Sequence, residues 1–126
     1  MILIIAGIFG ATSIALGAYG AHGLKKKTNS KTYQSFKNAV QYQQLHSIVL
    51  LFFVALSQSK IDSGISGMLL EVSSWFMIAG ILLFSGSIYA SIFMNNPKWT
   101  KITPAGGICF IVGWLLLSIV GVVYSM

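Results

Sequence analysis

Charged side chains are scarce in this sequence, and their scarcity excludes a water-soluble domain. Asp, Glu, Lys and Arg together make up 8% of the 126 residues, whereas a soluble domain carries roughly 25%. Hydrophobic residues make up 56%. Too little charge is available to cover a surface that faces water, so the composition predicts a membrane protein with several spans.

Arginine is absent, and cysteine and carboxylates nearly so. Without Arg, the chain has no guanidinium group to form paired hydrogen bonds with the edge of a base. This argues against a nucleic-acid partner despite the net charge of +6. The single cysteine, Cys109, excludes an internal disulfide. Asp62 and Glu71 are the only carboxylates, and their spacing gives no support for a general acid–base pair. We therefore predict no enzymatic activity and no cofactor.

Four apolar stretches are each long enough to cross a bilayer. A helix of roughly 20 apolar residues spans the hydrocarbon core. The predicted fold is a single all-α domain, an integral membrane four-helix bundle. The predicted spans cover residues 1–21, 42–58, 68–93 and 104–124.

The connection between the first two spans contains a predicted interfacial helix at residues 30–41, with Ser30 as its N-cap. Tyr33, Phe36 and Val40 fall on one face and polar residues on the others. This pattern is typical of an amphipathic helix in the headgroup region. The alternative is a plain helical loop.

Two spans carry small residues on one side. In the first span, Ala6, Gly10, Ser13, Gly17 and Ala21 recur at steps of three and four, which predicts a helix-packing face. The alternative is a flexible glycine-rich helix without a partner. In the third span a serine row that includes Ser73 and Ser87 indicates either a helix seam or a pore lining, and we favour the seam.

His22, His46 and Cys109 are predicted to lie near one end of the bundle. Imidazole and thiolate bind soft metals, and a neutral imidazole can relay protons. However, the familiar spacings of metal ligands are missing, so we predict no metal site. We favour a structural role, in which each imidazole hydrogen-bonds a neighbouring helix. Metal binding and proton handling are the alternatives.

Two motifs resemble a known family. Residues 17–24 read GAYGAHGL, and residues 42–46 read YQQLH. Both resemble the bacterial membrane family called domain of unknown function 423, whose eukaryotic relatives are called transmembrane protein 256. The resemblance extends to the length and four-span layout of the whole chain. It implies an inner-membrane protein of unestablished biochemistry and supplies no substrate. Its motif positions, which are candidate functional residues, include His22, Tyr42, Gln43 and His46.

The lysines favour an anionic lipid partner. Lysines beside apolar segments are typical of a membrane surface with anionic headgroups. The predicted headgroup contacts are Lys25, Lys26, Lys27, Lys31 and Lys37. The favoured function is non-enzymatic, in membrane organisation or stability or as a subunit of a partner complex, with a second copy or another membrane protein as partner. The alternative is a small-molecule or ion transporter or channel formed by an oligomer, although both carboxylates, Asp62 and Glu71, fall at or near the predicted outer surface rather than deep in the bilayer.

The lysines also predict sidedness. Seven of the eight lie in the first and third connections, and Lys60 alone lies in the second. The positive-inside rule then places the first and third connections in the cytoplasm and both termini outside the cell membrane.

We expect cysteines introduced at Lys26 and Lys98 to be shielded from an impermeant thiol reagent in intact cells, and one at Ser63 to be labelled. The parent chain, with Cys109 alone, gives the background. Labelling at position 26 in sealed cells would reverse the predicted sidedness.

Overall fold

Four long helices make up most of the chain. A computed structural model describes residues 1–126. Helix α1 spans Ile2–Lys27, α2 spans Ser30–Ser57, α3 spans Gly64–Phe93 and α4 spans Thr103–Ser125. A 3-10 turn at Pro97–Lys101 precedes α4. The chain has four helices that are long and apolar enough to cross a membrane, which confirms the predicted all-α membrane bundle.

The helices pack mainly in the order in which they occur. Helix α1 packs on α2, α2 on α3, and α3 on α4. The central cluster includes Leu50 from α2, Met77 from α3 and Phe110 from α4. Helix α1 therefore lies at the edge of the bundle. Large apolar side chains on its outer side, such as Ile4 and Ile14, are exposed for contact with lipid.

Helix α1 continues beyond residue 21, where the predicted first span ends. It widens into a π-helical turn over Gly20–Leu24 and continues to Lys27, and the backbone becomes extended only at Thr28. The cap of α2 also differs from the prediction. Asn29, not Ser30, is the N-cap, because its side chain accepts a hydrogen bond from the backbone N–H of Thr32 at 2.8 Å.

Helix α2 continues unbroken through the predicted boundary at residues 41 and 42. It contains neither Gly nor Pro, the residues that most readily break a helix. Residues 30–41 are therefore its first three turns and not a separate helix. Phe36 and Val40, on the predicted amphipathic face, are buried by protein: a Cβ added to Gly20 would lie 2.8 Å from the Phe36 ring, and one added to Gly17 3.4 Å from Val40. The interfacial position of these turns stays a prediction.

Helices α3 and α4 are in close contact at three glycines. The Phe110 side chain covers Gly80, and the Met77 side chain covers Gly113. At Gly106 the backbone and Cβ of Phe84 lie directly against the glycine. Their backbones can therefore approach closely.

Hydroxyl groups bridge the same two helices. The Ser73 hydroxyl donates to the carbonyl of Gly113 at 2.7 Å, and Ser87 hydrogen-bonds to Thr103. The serine row of the third span thus lies at a seam, as the favoured interpretation has it. Ser73 bonds across to α4 rather than to its own helix.

Two neighbouring glycines in α4 give a matched test of this seam. A Cβ at Gly106 would overlap the backbone of Phe84, whereas one at Gly107 meets no atom within 4 Å. We expect Gly106→Ala to lower the free energy of unfolding by about 1–3 kcal/mol through overpacking. Gly107→Ala should be neutral or add up to about 1 kcal/mol of helix propensity. Unfolding measured in detergent compares the two, and equal stabilities would contradict this description of the seam.

Candidate functional site

Gln43 connects three helices through one buried amide. Its side-chain nitrogen donates to the carbonyl of Phe9 at 2.9 Å and to the hydroxyl of Thr12 at 2.8 Å, both on α1. Its side-chain oxygen accepts a hydrogen bond from the hydroxyl of Tyr89 on α3 at 2.7 Å. Only 3% of Gln43 is exposed. Both ends of the amide are thus engaged away from solvent, and their partners fix how α1 and α3 sit against α2.

A second polar contact joins α2 and α3 about one turn away. The Ser85 hydroxyl, itself buried, donates to the backbone carbonyl of Ala39 at 2.7 Å. Ser85 closes the π-helical turn Ile81–Ser85 of α3. The wider turn lies in the same stretch that carries Phe84 against Gly106, so it serves packing on both α2 and α4.

His46 is buried between α2 and α4 with both ring nitrogens engaged. Nδ1 lies 2.7 Å from the backbone carbonyl of Tyr42, and Nε2 accepts from the indole N–H of Trp114 at 3.3 Å. Because a carbonyl can only accept, these bonds assign the proton to Nδ1 of a neutral ring. The ring stacks on Phe110 with centroids 3.7 Å apart. Both ring nitrogens are therefore engaged within the bundle.

The other motif positions have different surroundings. His22 lies in the π-helical turn of α1 and is exposed, whereas His46 is buried, so the structure does not join them in one pocket. Tyr42 is 44% exposed, and its ring packs on Phe84 with centroids 4.6 Å apart. Cys109 is half-buried. No group of three His, Cys, Asp or Glu side chains is close enough to hold a metal ion.

The predicted packing face of α1 divides into buried and open positions. Ala6 and Ser13 are buried, and Gly17 is in contact range of Val40. At Gly10 an added Cβ would meet no atom within 4 Å, and Ala21 is exposed. The tightest glycine of α1 against α2 is instead Gly20, under the ring of Phe36.

Charge is concentrated at one end of the bundle. The first and third connections carry Lys25, Lys26, Lys27, Lys31, Lys37, Lys98 and Lys101, all exposed. Lys25 and Lys37 each place their ammonium 5.9 Å from the centre of the Tyr33 ring. We call this the lysine-rich end. At the opposite end both carboxylates, Asp62 and Glu71, line an open cavity of about 440 Å³ beside Met1. Both are exposed, so they lack the desolvated setting that tunes an acid–base pair.

The sequence matches a family over most of its length. Residues 16–107, which hold both motifs and the Gln43 amide, match the family described as "Protein of unknown function (DUF423)". The chain belongs to the DUF423 family. The resemblance noted from the two motifs is thereby confirmed. No solved structure matches the chain.

Bacterial relatives of this DUF423 protein share its full extent. The chain is 38% identical over 122 residues to UPF0382 membrane protein YwdK of Bacillus subtilis strain 168, covering 97% of this chain and 96% of the relative. It is 34% identical over 117 residues to UPF0382 inner membrane protein YgdD of Escherichia coli strain K12, covering 93% and 86%. A UPF0382 membrane protein of Haemophilus influenzae is 39% identical over 116 residues, covering 92% and 89%. These relatives are membrane proteins, and so is this chain.

Several partners of the DUF423 motifs were missed by sequence reasoning. Thr12, Tyr89 and Trp114 complete the hydrogen bonds of Gln43 and His46, and they lie 31 to 68 positions away along the chain. No local pattern marks them. A polar residue inside an apolar span is a general sign that a partner exists, but it does not say which one.

Replacing Gln43 tests its role in this DUF423 bundle. We expect Gln43→Leu to lower the free energy of unfolding in detergent by about 1–3 kcal/mol, because the Tyr89 hydroxyl loses its buried acceptor. Gln44→Leu is the control, since Gln44 is half-buried and makes no side-chain hydrogen bond. Tyr89→Phe should lower the free energy of unfolding by less in the Gln43→Leu variant than in the parent chain. Equal losses of unfolding free energy for Gln43→Leu and Gln44→Leu would show that the Gln43 amide does not stabilise the contact between the helices.

Proposed function

We propose that this protein has a non-enzymatic, structural role in the cell membrane and binds anionic lipid at its lysine-rich end. The observation that carries the proposal is that no buried side-chain N or O atom lacks a hydrogen-bond partner within the chain. The polar groups of the interior bond either to a neighbouring helix, as Gln43 and Ser85 do, or to their own helix, as Ser47 does. The groups free to engage a ligand lie mainly at the ends, where the lysines are.

The surroundings of His46 and of the carboxylates support a role without catalysis. A catalytic base or a metal ligand needs a ring nitrogen that can reach the reacting group. Both nitrogens of His46 are taken by Tyr42 and Trp114. Asp62 and Glu71 are exposed at the far end of the bundle from the lysines.

The distribution of charge supports an anionic lipid partner. Seven lysines in the first and third connections face no carboxylate there, since both acidic residues belong to the opposite end. Positive charge beside apolar helices attracts anionic headgroups by roughly 1 kcal/mol per Lys near the surface. Under this proposal the lysine-rich end is the cytoplasmic one. A transporter or channel formed by an oligomer is the alternative from sequence, and no contact within the bundle favours it.

Neutralising the lysine-rich end tests the proposal. We expect the chain with Lys25, Lys26, Lys27, Lys31 and Lys37 all changed to Gln to retain less anionic lipid, with a loss of up to about 1 kcal/mol per charge. Native mass spectrometry after purification in mild detergent measures the retained phosphatidylglycerol. Lys60→Gln, which removes the one lysine of the opposite end, is the control and should retain lipid as the parent does.

Salt gives a second readout of the same interaction. Headgroup binding by lysines should weaken as ionic strength rises, because the charges are solvent-exposed and are screened. Unchanged lipid retention in the variant with five Gln residues, or retention insensitive to salt in the parent, would contradict the proposal.

A further inference from the structure

A groove of about 1130 Å³ opens at the lysine-rich end. One wall is the segment from Lys27 to Ser35, which includes the first turns of α2. The other wall is formed by the 3-10 turn and the beginning of α4, up to Gly107. The last turns of α3 lie between the two walls and form the floor. The groove therefore joins the first and third connections, which are distant in sequence.

The floor is mainly apolar. Phe84, Ile88 and Ile92 of α3 line it, together with Ser91, whose hydroxyl donates to the carbonyl of Ile88. Phe84 and Ile92 lie about two helical turns apart, so the floor extends about 12 Å along the helix axis. A surface of this kind suits a hydrocarbon chain, whereas a small soluble anion would leave it without a partner.

The mouth of the groove is positive and polar. Lys27 and Lys31 lie on its rim, beside the hydroxyls of Thr28 and Thr32, which make no hydrogen bond within the chain. Neither of the two carboxylates of the chain lines it. The N-terminal turns of α2 and α4 border the same mouth and add to its positive potential. An anionic group at the mouth would thus meet opposite charge and free donors.

We propose that this groove holds one anionic phospholipid, with its phosphate between Lys27 and Lys31 and an acyl chain along the α3 floor. The inference rests on the proposed function and adds to it a defined site. Lys25, Lys26 and Lys37 lie outside the groove lining and contribute only to the general charge of that end. A phospholipid fits both halves of the groove, since it carries the phosphate and the hydrocarbon in one molecule.

Substitutions in two pairs of lysines distinguish lipid binding in the groove from lipid binding to the surface around it. The probe is phosphatidylglycerol, added to the purified full chain in detergent, and native mass spectrometry measures the affinity for the first lipid bound. We expect Lys27→Gln with Lys31→Gln to weaken that affinity about 30-fold. Lys25→Gln with Lys26→Gln removes the same charge outside the groove and should weaken it less than about threefold by general attraction alone.

Substitutions at two glycines of α4 test whether an acyl chain binds in the apolar part of the groove. Gly107 lines the groove, and Gly121 lies on the same helix far from it. A Cβ added at either position meets no atom within 4 Å, so neither backbone position is closed to a side chain. We expect Gly107→Leu to fill the groove and weaken binding of the first phosphatidylglycerol at least tenfold, and Gly121→Leu to leave it unchanged. Thermal unfolding in detergent checks that both variants fold.

The outcomes distinguish the groove from the broader proposal. If substitution of either lysine pair weakens binding equally and Gly107→Leu has no effect, the proposed lipid site in the groove is contradicted. The broader proposal that the lysine-rich end binds anionic lipid then stands. If neither pair changes binding, both proposals are overturned. If glycerol phosphate binds as tightly as phosphatidylglycerol, the acyl chain does not contribute and that part of the inference is overturned. If phosphatidylcholine binds as tightly, the negative charge does not contribute and that part is overturned.

Discussion

A polar group inside a bilayer must find its hydrogen-bond partner in the protein, because hydrocarbon offers none. The organisation of this bundle follows from that constraint. Gln43 satisfies its amide with α1 and α3 at once, Ser85 bonds to α2, and Trp114 bonds to His46. Each bond is modest, since interhelical hydrogen bonds in membranes average about 0.6 kcal/mol. Their larger effect is on register, because a helix that slid or rotated would leave a buried group without a partner.

Packing reinforces the same register at the seam of α3 and α4. Between helices in lipid, association depends on close contact rather than on escape from water. Glycines opposite Phe84, Phe110 and Met77 allow that contact, and the seam hydroxyls bond across it. Helix α1 has fewer close contacts and fewer polar bonds: apart from Gly20, its glycines meet few atoms of other helices, and its outer side is exposed. The Gln43 amide is therefore the main polar link between α1 and the rest.

The function that we propose lies at one end of the bundle. A histidine with both nitrogens bonded and serines bonded to carbonyls leave little for chemistry in the interior. The lysine-rich end differs, since its charges have no acidic partners and border a groove with an apolar floor. Recognition of an anionic lipid there would use residues that the fold itself does not need, so fold stability and lipid binding can vary independently.

The sequence by itself determined the class of the protein, the number of spans and the asymmetry of charge, because hydropathy and lysine placement are read locally along the chain. It also indicated that His46 needs a partner on a neighbouring helix, and it marked Gln43 as a motif position. Only the tertiary structure decided which partners these two residues have, that Gly20 rather than Gly10 is the tight glycine of α1 against α2, and that residues 30–41 continue into α2. It also decided that Lys27 and Lys31 border a groove while Lys25 and Lys26 do not. These features depend on the rotation of each helix about its axis, which is set by contacts between residues far apart in the chain.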